Sequence, residues 1–460
     1  MSQPLKFLLI KPATPDWRVS NESVGAGRTQ MFRYSMLSCL YVAAATPAFV
    51  QTRILDEEVE PIDYDTPADL VGLSFMTCSA PRAYQIASRF RREKHKTVIA
   101  GGYHPTFMPE EVLQHVDAVC VGEAETIVPR IIEDFLAGSL KTIYRARPAP
   151  LAGLPVPDRS LLRKVAYAPI DTVQATRGCP YSCSFCSISA FYQCAFRVRP
   201  VDEVIEELKT LGSRLLFMDD NLTSDVGYAK ELFRRMIPLR KRWISQASVQ
   251  IAADAELLSL AARSGCRGLF IGFESLSDDN LRRWRKNFNR SRDYLRIVEK
   301  LHSHGIGVCV GMVFGYDWDS AGVFPFTLDF LELARVDAVQ ATILTPFPGT
   351  ELFREMNRTG RVIERDWEKY DFSHVIFEPR QMSRQMLQDG HDWFLSQFYS
   401  RKAIARRLLR QLGYLCPSTV LGATAPLNLS YRRRLRGVGT LRAFNANFRE
   451  SHPPAVEVAL

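Results

Sequence analysis

The sequence predicts an α/β protein made of two successive strand–helix blocks followed by a smaller helical region. Three observations carry this. Short apolar, β-branched runs alternate with amphipathic helical stretches over residues 5–144, and again over 166–345. The Pro-rich stretch Arg147-Pro-Ala-Pro-Leu-Ala-Gly-Leu-Pro-Val-Pro157 separates the blocks and can continue neither a helix nor a central strand. Beyond Thr350 the pattern turns helical and aromatic, as in Asp366-Trp-Glu-Lys-Tyr-Asp371 and residues 385–399. The expected units are a Rossmann-like domain over 1–146, a linker over 147–165, a TIM-like partial (β/α)6 barrel over 166–350 and a small helical C-terminal domain over 351–460.

In the first block, strands are expected at 6–10, 52–55, 70–74, 98–101 and 118–122, with helices at 36–45, 80–93, 110–115 and 125–136. Alternation of this length implies a parallel sheet covered by helices, and ligands of such sheets bind outside the carboxyl ends of the strands. Three loops fall there. One follows Gly72 and carries Ser74 and Thr77, whose hydroxyls can donate to polar side groups. The second is Gly101-Gly102-Tyr103-His104-Pro105, and the third Gly122-Glu123-Ala124-Glu125. Their glycines allow backbone to approach a ligand closely.

In the second block, strands are expected at 171–176, 214–219, 245–252, 268–274, 307–314 and 338–344, with helices between, at 204–211, 228–239, 255–264, 290–304 and 326–334. Directly after the first strand comes Arg177-Gly-Cys-Pro-Tyr-Ser-Cys-Ser-Phe-Cys186, which places Cys179, Cys183 and Cys186 in a Cys-x3-Cys-x2-Cys pattern. Three thiolates on one short loop can hold three corners of an iron–sulfur cube and leave the fourth iron open to a substrate or cofactor. Structural zinc wants four ligands, whereas no His lies nearby and Cys194 is eight residues on without a partner. Barrel chemistry sits at strand carboxyl ends. The candidates there are Asp219 and Asp220 after the second strand, Glu274 and Ser275 after the fourth, and Gly311 and Gly315 on the fifth; helix capping and barrel hydrogen bonding are the structural alternatives for the carboxylates.

Composition narrows the class. Of 460 residues, 46% are hydrophobic and 24% charged, which suits a chain burying large cores. Ten cysteines with a clustered trio indicate a reducing, cytoplasmic setting rather than a disulfide scaffold. The N-terminal apolar run is too short for a signal peptide, and no membrane span is expected. The net charge of +9 resides in residues 401–450, where eleven Lys or Arg stand against one acidic residue. Residues 401–413 read as an amphipathic basic helix with Ile404, Leu408 and Leu412 on one stripe, suited to an anionic membrane, a polyanionic substrate or its own protein surface. Residues 432–436 form a second basic cluster, and 445–460 are expected to be loose. No basic surface interleaved with aromatics marks the barrel as a nucleic-acid binder.

The Cys-x3-Cys-x2-Cys loop, with Phe185 before its last thiol, resembles the signature of the radical S-adenosylmethionine superfamily. The loops Gly101–Pro105 and 121–125 resemble those of the cobalamin-binding domain found in one large class of that superfamily. The resemblance spans about residues 6–399. It implies a 4Fe–4S cluster on Cys179, Cys183 and Cys186, and S-adenosylmethionine contacts from Phe185, Asp219, Asp220, Glu274, Ser275, Gly311 and Gly315. It also implies cobalamin contacts from Ser74, Thr77, Gly101, Gly102, Tyr103, His104, Gly122, Glu123 and Glu125. Met218-Asp219-Asp220-Asn221 departs from the superfamily's Gly-Gly-Glu motif but resembles the cobalamin-dependent class. The Asp-x-His-x-x-Gly motif of better-known cobalamin domains is absent, since His104 lacks both the Asp and the Gly, and Asp389-Gly-His391 lacks the Gly and lies outside the block. No His is therefore expected below the cobalt, and His104 is expected to shape its loop.

The activity so implied is methylation of a carbon centre in a small-molecule or lipid substrate, through a 5′-deoxyadenosyl radical and methylcobalamin, with electrons from an external flavodoxin- or ferredoxin-type donor. Oxidative cyclisation or ring rearrangement with the same cofactors is the alternative, and a non-catalytic cobalamin or cluster sensor a more distant one. No catalytic side chain is assigned, and peripheral membrane association is expected from the basic tail.

Overall fold

The computed structural model describes residues 4–14, 33–437 and 448–452. It contains a Rossmann-like domain, a partial barrel and a helical C-terminal region. The first sheet holds β1 (Leu5–Lys11), β2 (Val50–Asp56), β3 (Leu70–Ser74), β4 (Thr97–Gly101), β5 (Ala118–Val121) and β6 (Ile143–Arg145), in the order β2-β1-β3-β4-β5-β6 and parallel throughout. Because side chains alternate along a strand, Phe7 and Leu9 enter one core with Tyr41, Ile131 and Tyr144. Leu8 and Ile10 enter the opposite core with Ile86, Phe90 and Val119. Continuous apolar runs such as Phe-Leu-Leu-Ile suit a sheet buried on both faces. The helix Ala80–Lys94 shows the complementary pattern, with Ala83, Ile86, Ala87 and Phe90 buried in one stripe; it ends at His95 in the left-handed region, φ 50°. Strand β6 is a sixth, edge strand that its three-residue length hid in the sequence.

The second sheet holds β7 (Asp171–Val173), β10 (Arg214–Phe217), β11 (Arg242–Ala247), β12 (Cys266–Glu274), β13 (Gly307–Phe314) and β14 (Ala338–Ile343), parallel and in sequence order. It is an open, six-stranded partial barrel. Side-chain caps fix several helix starts: Asp225, Asp254, Ser277 and Thr350 each accept from a backbone N–H three residues on. Two expected strands differ. The run 171–176 splits into β7 and β8 (Thr176–Gly178), which leaves the barrel to pair antiparallel with β9 (Phe196–Val198). The third barrel strand runs Arg242–Ala247 rather than 245–252, because the Asn221 side-chain oxygen takes the Ser248 N–H at 3.1 Å and Val249–Ala253 coils into a short 3₁₀ turn.

The C-terminal region closes the open edge of the barrel. Tyr399 Oη donates to the Val339 carbonyl at 2.6 Å and accepts the Val339 N–H at 3.1 Å, while His391 Nε2 lies 3.2 Å from the Ala341 carbonyl. An exposed edge strand is thereby covered. Trp393, Phe394, Phe398 and Tyr399 belong to the barrel core, so the aromatics of helix Arg384–Phe398 pack a cap rather than line an entrance. In helix Arg401–Gln411 the buried face is Ile404, Arg407 and Gln411. Arg407 donates to the Phe398 carbonyl at 2.8 Å and lies 3.7 Å above the Phe398 ring. Leu412, expected on one stripe with Ile404 and Leu408, is 50% exposed, and Leu409 is 71% exposed. Of residues 445–460 only 448–452 are described; Phe448 is buried against Phe324 and Trp393, and the remainder of that expected loose segment lies outside the described residues. No helix among the described residues is long and apolar enough to cross a membrane.

Candidate functional site

The cysteine loop begins at a forced break in a strand. At the end of β10, Asp219 is wholly buried and accepts from Ala175 N (3.1 Å), from Thr176 N and from Thr176 Oγ1 (2.7 Å). Arg199 Nη1 donates to the Gln174 carbonyl at 2.9 Å and Tyr228 Oη to that of Ala175 at 3.2 Å. These side chains replace the barrel ladder at residues 174–176 and steer the chain outward. Gly178 follows at φ 83°, where a Cβ would lie 2.1 Å from the Ala195 carbonyl oxygen, so only glycine fits. Cys179, Cys183 and Cys186 come next, all free and half-buried. Ser184 is anchored on both sides, its N–H donating to Trp284 O (3.3 Å) and its carbonyl accepting from Leu352 N (3.0 Å). Asn221 Nδ2 approaches Cys179 Sγ at 4.0 Å and Cys183 Sγ approaches the Arg285 carbonyl at 3.8 Å.

The three thiols suit an iron–sulfur cluster. Among the described residues no three His, Cys, Asp or Glu side chains converge as ligands of one ion do. What fits the three to a cluster is their chemistry and their place on one short loop, since thiolates are the donors such clusters use. Burial raises all three thiols, Cys183 to about 12, and the nearby Lys286 ammonium opposes this at Cys183 and Cys186. Lys286 is itself held by Glu274 at 2.5 Å. Burial works against its charge, but Glu274 and the neighbouring thiols outweigh it and keep it protonated. Glu274 sits at φ 67° beside a β-bulge, and Gly272 makes room for the pair, since a Cβ there would lie 2.2 Å from Glu274 Oε1.

The remaining barrel candidates divide. Asp220 faces the loop, accepting the Gly178 N–H at 2.9 Å, and burial lifts it to about 6. Asp219 has its oxygens turned onto backbone; burial lifts it to about 7 against those hydrogen bonds. Ser275 Oγ accepts from Ser277 N (3.1 Å) and Asn280 Nδ2 (3.2 Å), a capping network that runs on to Asp319. Gly315 is buried with its N–H on Asp319 Oδ2 at 3.0 Å, and a Cβ would strike Leu387 at 2.8 Å, so it packs on the C-terminal cap. Gly311 lies in register with Gly272, and Phe185 meets Tyr316 edge-on at 6.4 Å. Gln246 is exposed although β11 is flanked on both sides, and Met218, just past β10, and Gln340, on the edge strand β14, are exposed as well. Helices cover the other face, so these side chains, with Phe270 and Gly272, line an open lumen.

The first domain presents its strand ends to the same region. Tyr103 lies 4.7 Å and Phe107 6.2 Å, ring to ring, from Phe191, just past the cysteine loop. Gly349 fits under Phe107, where a Cβ would be 2.0 Å from its ring. Gly102 has φ 106° and no space for a Cβ against Phe75 O (2.7 Å); Gly122 has φ 93°, whereas Gly101 has ordinary room. Ser74 is half-buried at the mouth of β3. His104 is fully buried, with Nε2 3.0 Å from Tyr84 Oη and Nδ1 3.3 Å from Thr77 Oγ1. Its ring shapes the loop. Glu123 and Glu125 both take Arg177 Nη1, and Glu123 also takes Arg197 at 2.7 Å. Sequence reasoning did not single out Lys286, Asn221, Arg177 or Arg197. Arg177 stood inside the motif, while Lys286 was masked by the surface-like run Arg282-Arg-Trp-Arg-Lys286.

Comparison with known proteins agrees with this layout. Residues 173–320 match the Radical SAM superfamily and residues 33–132 the B12 binding domain. The chain is 33% identical to bacteriochlorophyllide d C-12(1)-methyltransferase of Chlorobaculum tepidum, covering 88% of this chain and 89% of that one. It is 28% identical to the bacteriochlorophyllide d C-8(2)-methyltransferase of the same organism, over 73% and 79%. Among solved structures, the radical S-adenosylmethionine methyltransferase TsrM of Kitasatospora setae, with cobalamin and a [4Fe-4S] cluster bound, superposes with a TM-score of 0.68 at 15% identity, covering 95% of this chain and all of that one. The cofactors are a 4Fe–4S cluster, S-adenosylmethionine and cobalamin, and the chain belongs to the cobalamin-dependent radical S-adenosylmethionine methyltransferase family.

Proposed function

We propose that the enzyme methylates a peripheral carbon of a cyclic tetrapyrrole of the bacteriochlorophyllide type. The observation that carries this is the near full-length similarity to a methyltransferase of that substrate, with a second such relative acting at a different carbon. In this reading Cys179, Cys183 and Cys186 hold the cluster. Phe185, Asp220, Glu274 and Gly311 border the S-adenosylmethionine space, while Asp219, Ser275 and Gly315 shape it from behind. Ser74, Gly101, Gly102, Tyr103 and Gly122 form the cobalamin cradle, which Thr77 and His104 support from within. When bound, the cluster and S-adenosylmethionine supply a 5′-deoxyadenosyl radical and cobalamin supplies the methyl group; the chain supplies position and a shielded lumen. Electrons come from an external flavodoxin- or ferredoxin-type donor.

The deciding experiment is an anaerobic reaction with bacteriochlorophyllide d, S-adenosylmethionine, cobalamin and titanium citrate, read by mass spectrometry beside a Cys183→Ala control. A product heavier by one methyl in place of one hydrogen supports the proposal. A product lighter by hydrogen, or with a new ring, overturns it in favour of oxidative cyclisation.

We further place the enzyme in the reducing cytoplasm, at the membrane periphery. Ala405, Leu409 and Leu412 form one exposed stripe on helix Arg401–Gln411 beside Arg401, Lys402, Arg406 and Arg410, a combination suited to an anionic bilayer. Sedimentation with phosphatidylglycerol vesicles should fall in Leu409→Ser/Leu412→Ser; equal sedimentation of variant and parent refutes it.

A further inference from the structure

The motif loop 121–125 and the root of the cysteine loop meet through one buried ionic network. Arg177 and Arg197 are register partners on the β8–β9 ribbon. Arg177 Nη1 donates to Glu123 Oε1 at 2.6 Å and to Glu125 Oε1, and Arg197 Nη1 lies 2.7 Å from Glu123 Oε2. Arg177 Nε donates to Gln174 Oε1 at 2.8 Å, and its guanidinium lies 5.0 Å from the Tyr41 ring centroid. The side chains of Arg177, Glu123 and Glu125 are 6%, 8% and 10% exposed. Carboxylates engaged in this way are turned away from a ligand. A buried network of this kind also resists losing any one member, because the charge left behind would be unpaired. Arg177 stands two residues before Cys179, and Glu123 follows directly on Gly122 at the carboxyl end of the first sheet. A shift at either loop must therefore be felt at the other.

We infer that Arg177, held by Glu123 and Glu125, is a positioning residue that couples cobalamin binding in the first domain to the ordering of the cluster loop in the second. The inference rests on both cofactors being those of the family, and not on the identity of the substrate. Coupling of this kind is reciprocal: a cluster in place tightens cobalamin, and cobalamin in place orders the cluster loop. Glu123 and Glu125 act through Arg177, without touching the corrin.

The test uses the full chain, prepared anaerobically with its cluster and after chelation of the iron, and titrates hydroxocobalamin by absorbance. The parent protein should bind hydroxocobalamin at least about fivefold more tightly with the cluster than without it. The spectrum of the reduced cluster in electron paramagnetic resonance should change on cobalamin addition. In Arg177→Gln and in Glu125→Gln the two affinities should converge on the parent's cluster-free value, and the spectral change should vanish. Arg177→Lys, which keeps the charge, should restore part of both. Equal affinities in the parent protein overturn the inference outright, whatever the variants do. A weaker affinity of cluster-free Glu125→Gln than of the cluster-free parent overturns it too, by making the glutamate a cobalamin contact. Neither result depends on turnover, so failure here is distinct from failure of the tetrapyrrole assignment.

Discussion

Replacing Trp367 by Phe and Glu111 by Ala, singly and together, measures how firmly the C-terminal region grips the first domain. Glu111 Oε1 accepts from Trp367 Nε1 at 2.8 Å and from Tyr84 Oη at 2.7 Å, and lies 3.6 Å from His104 Nε2. Trp367 also meets the His104 ring at a centroid distance of 5.2 Å. A hydrogen bond to a charged acceptor contributes about 1.5–3 kcal/mol. Trp367→Phe keeps the ring packing and removes that one bond. Glu111→Ala removes it together with the Tyr84 bond, so it should cost roughly 3–5 kcal/mol once partial solvent access of the carboxylate is allowed for. The double variant should show a coupling of about 1.5 kcal/mol or more, because both single changes delete the same contact. Urea unfolding followed by far-UV circular dichroism reads this without relying on tryptophan emission. Burial pushes the Glu111 carboxyl up, but its hydrogen bonds from His104, Tyr84 and Trp367 outweigh this and hold it at about 2. Its folded value therefore lies below its unfolded one. The stability it contributes is present above about pH 4.5 and drains away as pH falls towards 2. The coupling should shrink over that window and stay constant from pH 6 to 8 (about two units). Additive single changes at neutral pH, with coupling under about 0.5 kcal/mol, would refute the latch.

Other outcomes follow from single contacts. Gly349→Ala, at φ 84° with its new Cβ 2.0 Å from Phe107, should cost several times more in melting temperature than Gly360→Ala, at φ 70° with nothing within 4 Å; equal shifts would show that the Phe107 contact is soft. Asp219→Ala strands three donors at the β7–β8 break and should lose about 3 kcal/mol or more, with reduced iron after reconstitution, whereas Asp220→Ala should keep the fold. Lys286→Met leaves Glu274 buried without its partner and should destabilise by about 3–5 kcal/mol, while Lys286→Met combined with Glu274→Leu should recover most of that in urea titrations.

Much of this was legible because periodicity and spacing are local. The apolar runs named five of the six strands in the first sheet and all six of the barrel, and the thiol spacing named the loop that carries the chemistry. What escaped was decided by side chains far apart in sequence. The strand at 171–176 reads as continuous, and it is broken by distant side chains, foremost Asp219, 43 residues beyond Thr176, which claims two of its N–H groups. The third barrel strand reads on to residue 252, and only the Asn221 side chain turns it off at Ala247.

The same distinction separates the two carboxylates of the Asp219-Asp220 pair, which no local pattern can rank. The burial alternation of β10 carries on past its end, leaving Asp219 buried and Asp220 partly exposed, and the protein uses that difference. The inward Asp219 builds the platform from which the cysteine loop departs, and the outward Asp220 holds the first residue of that loop, Gly178. Glu123 and Glu125 pose the same problem in the first domain. Their position at the end of a parallel strand marks them as ligand contacts by every general rule of such sheets, but the partner that claims them is an arginine 52 residues beyond Glu125. Charged residues at strand ends thus serve two ends in this chain. Glu123 and Glu125 pair with Arg177 and Arg197 and so join the two domains, whereas Asp220 turns to the backbone of the cysteine loop.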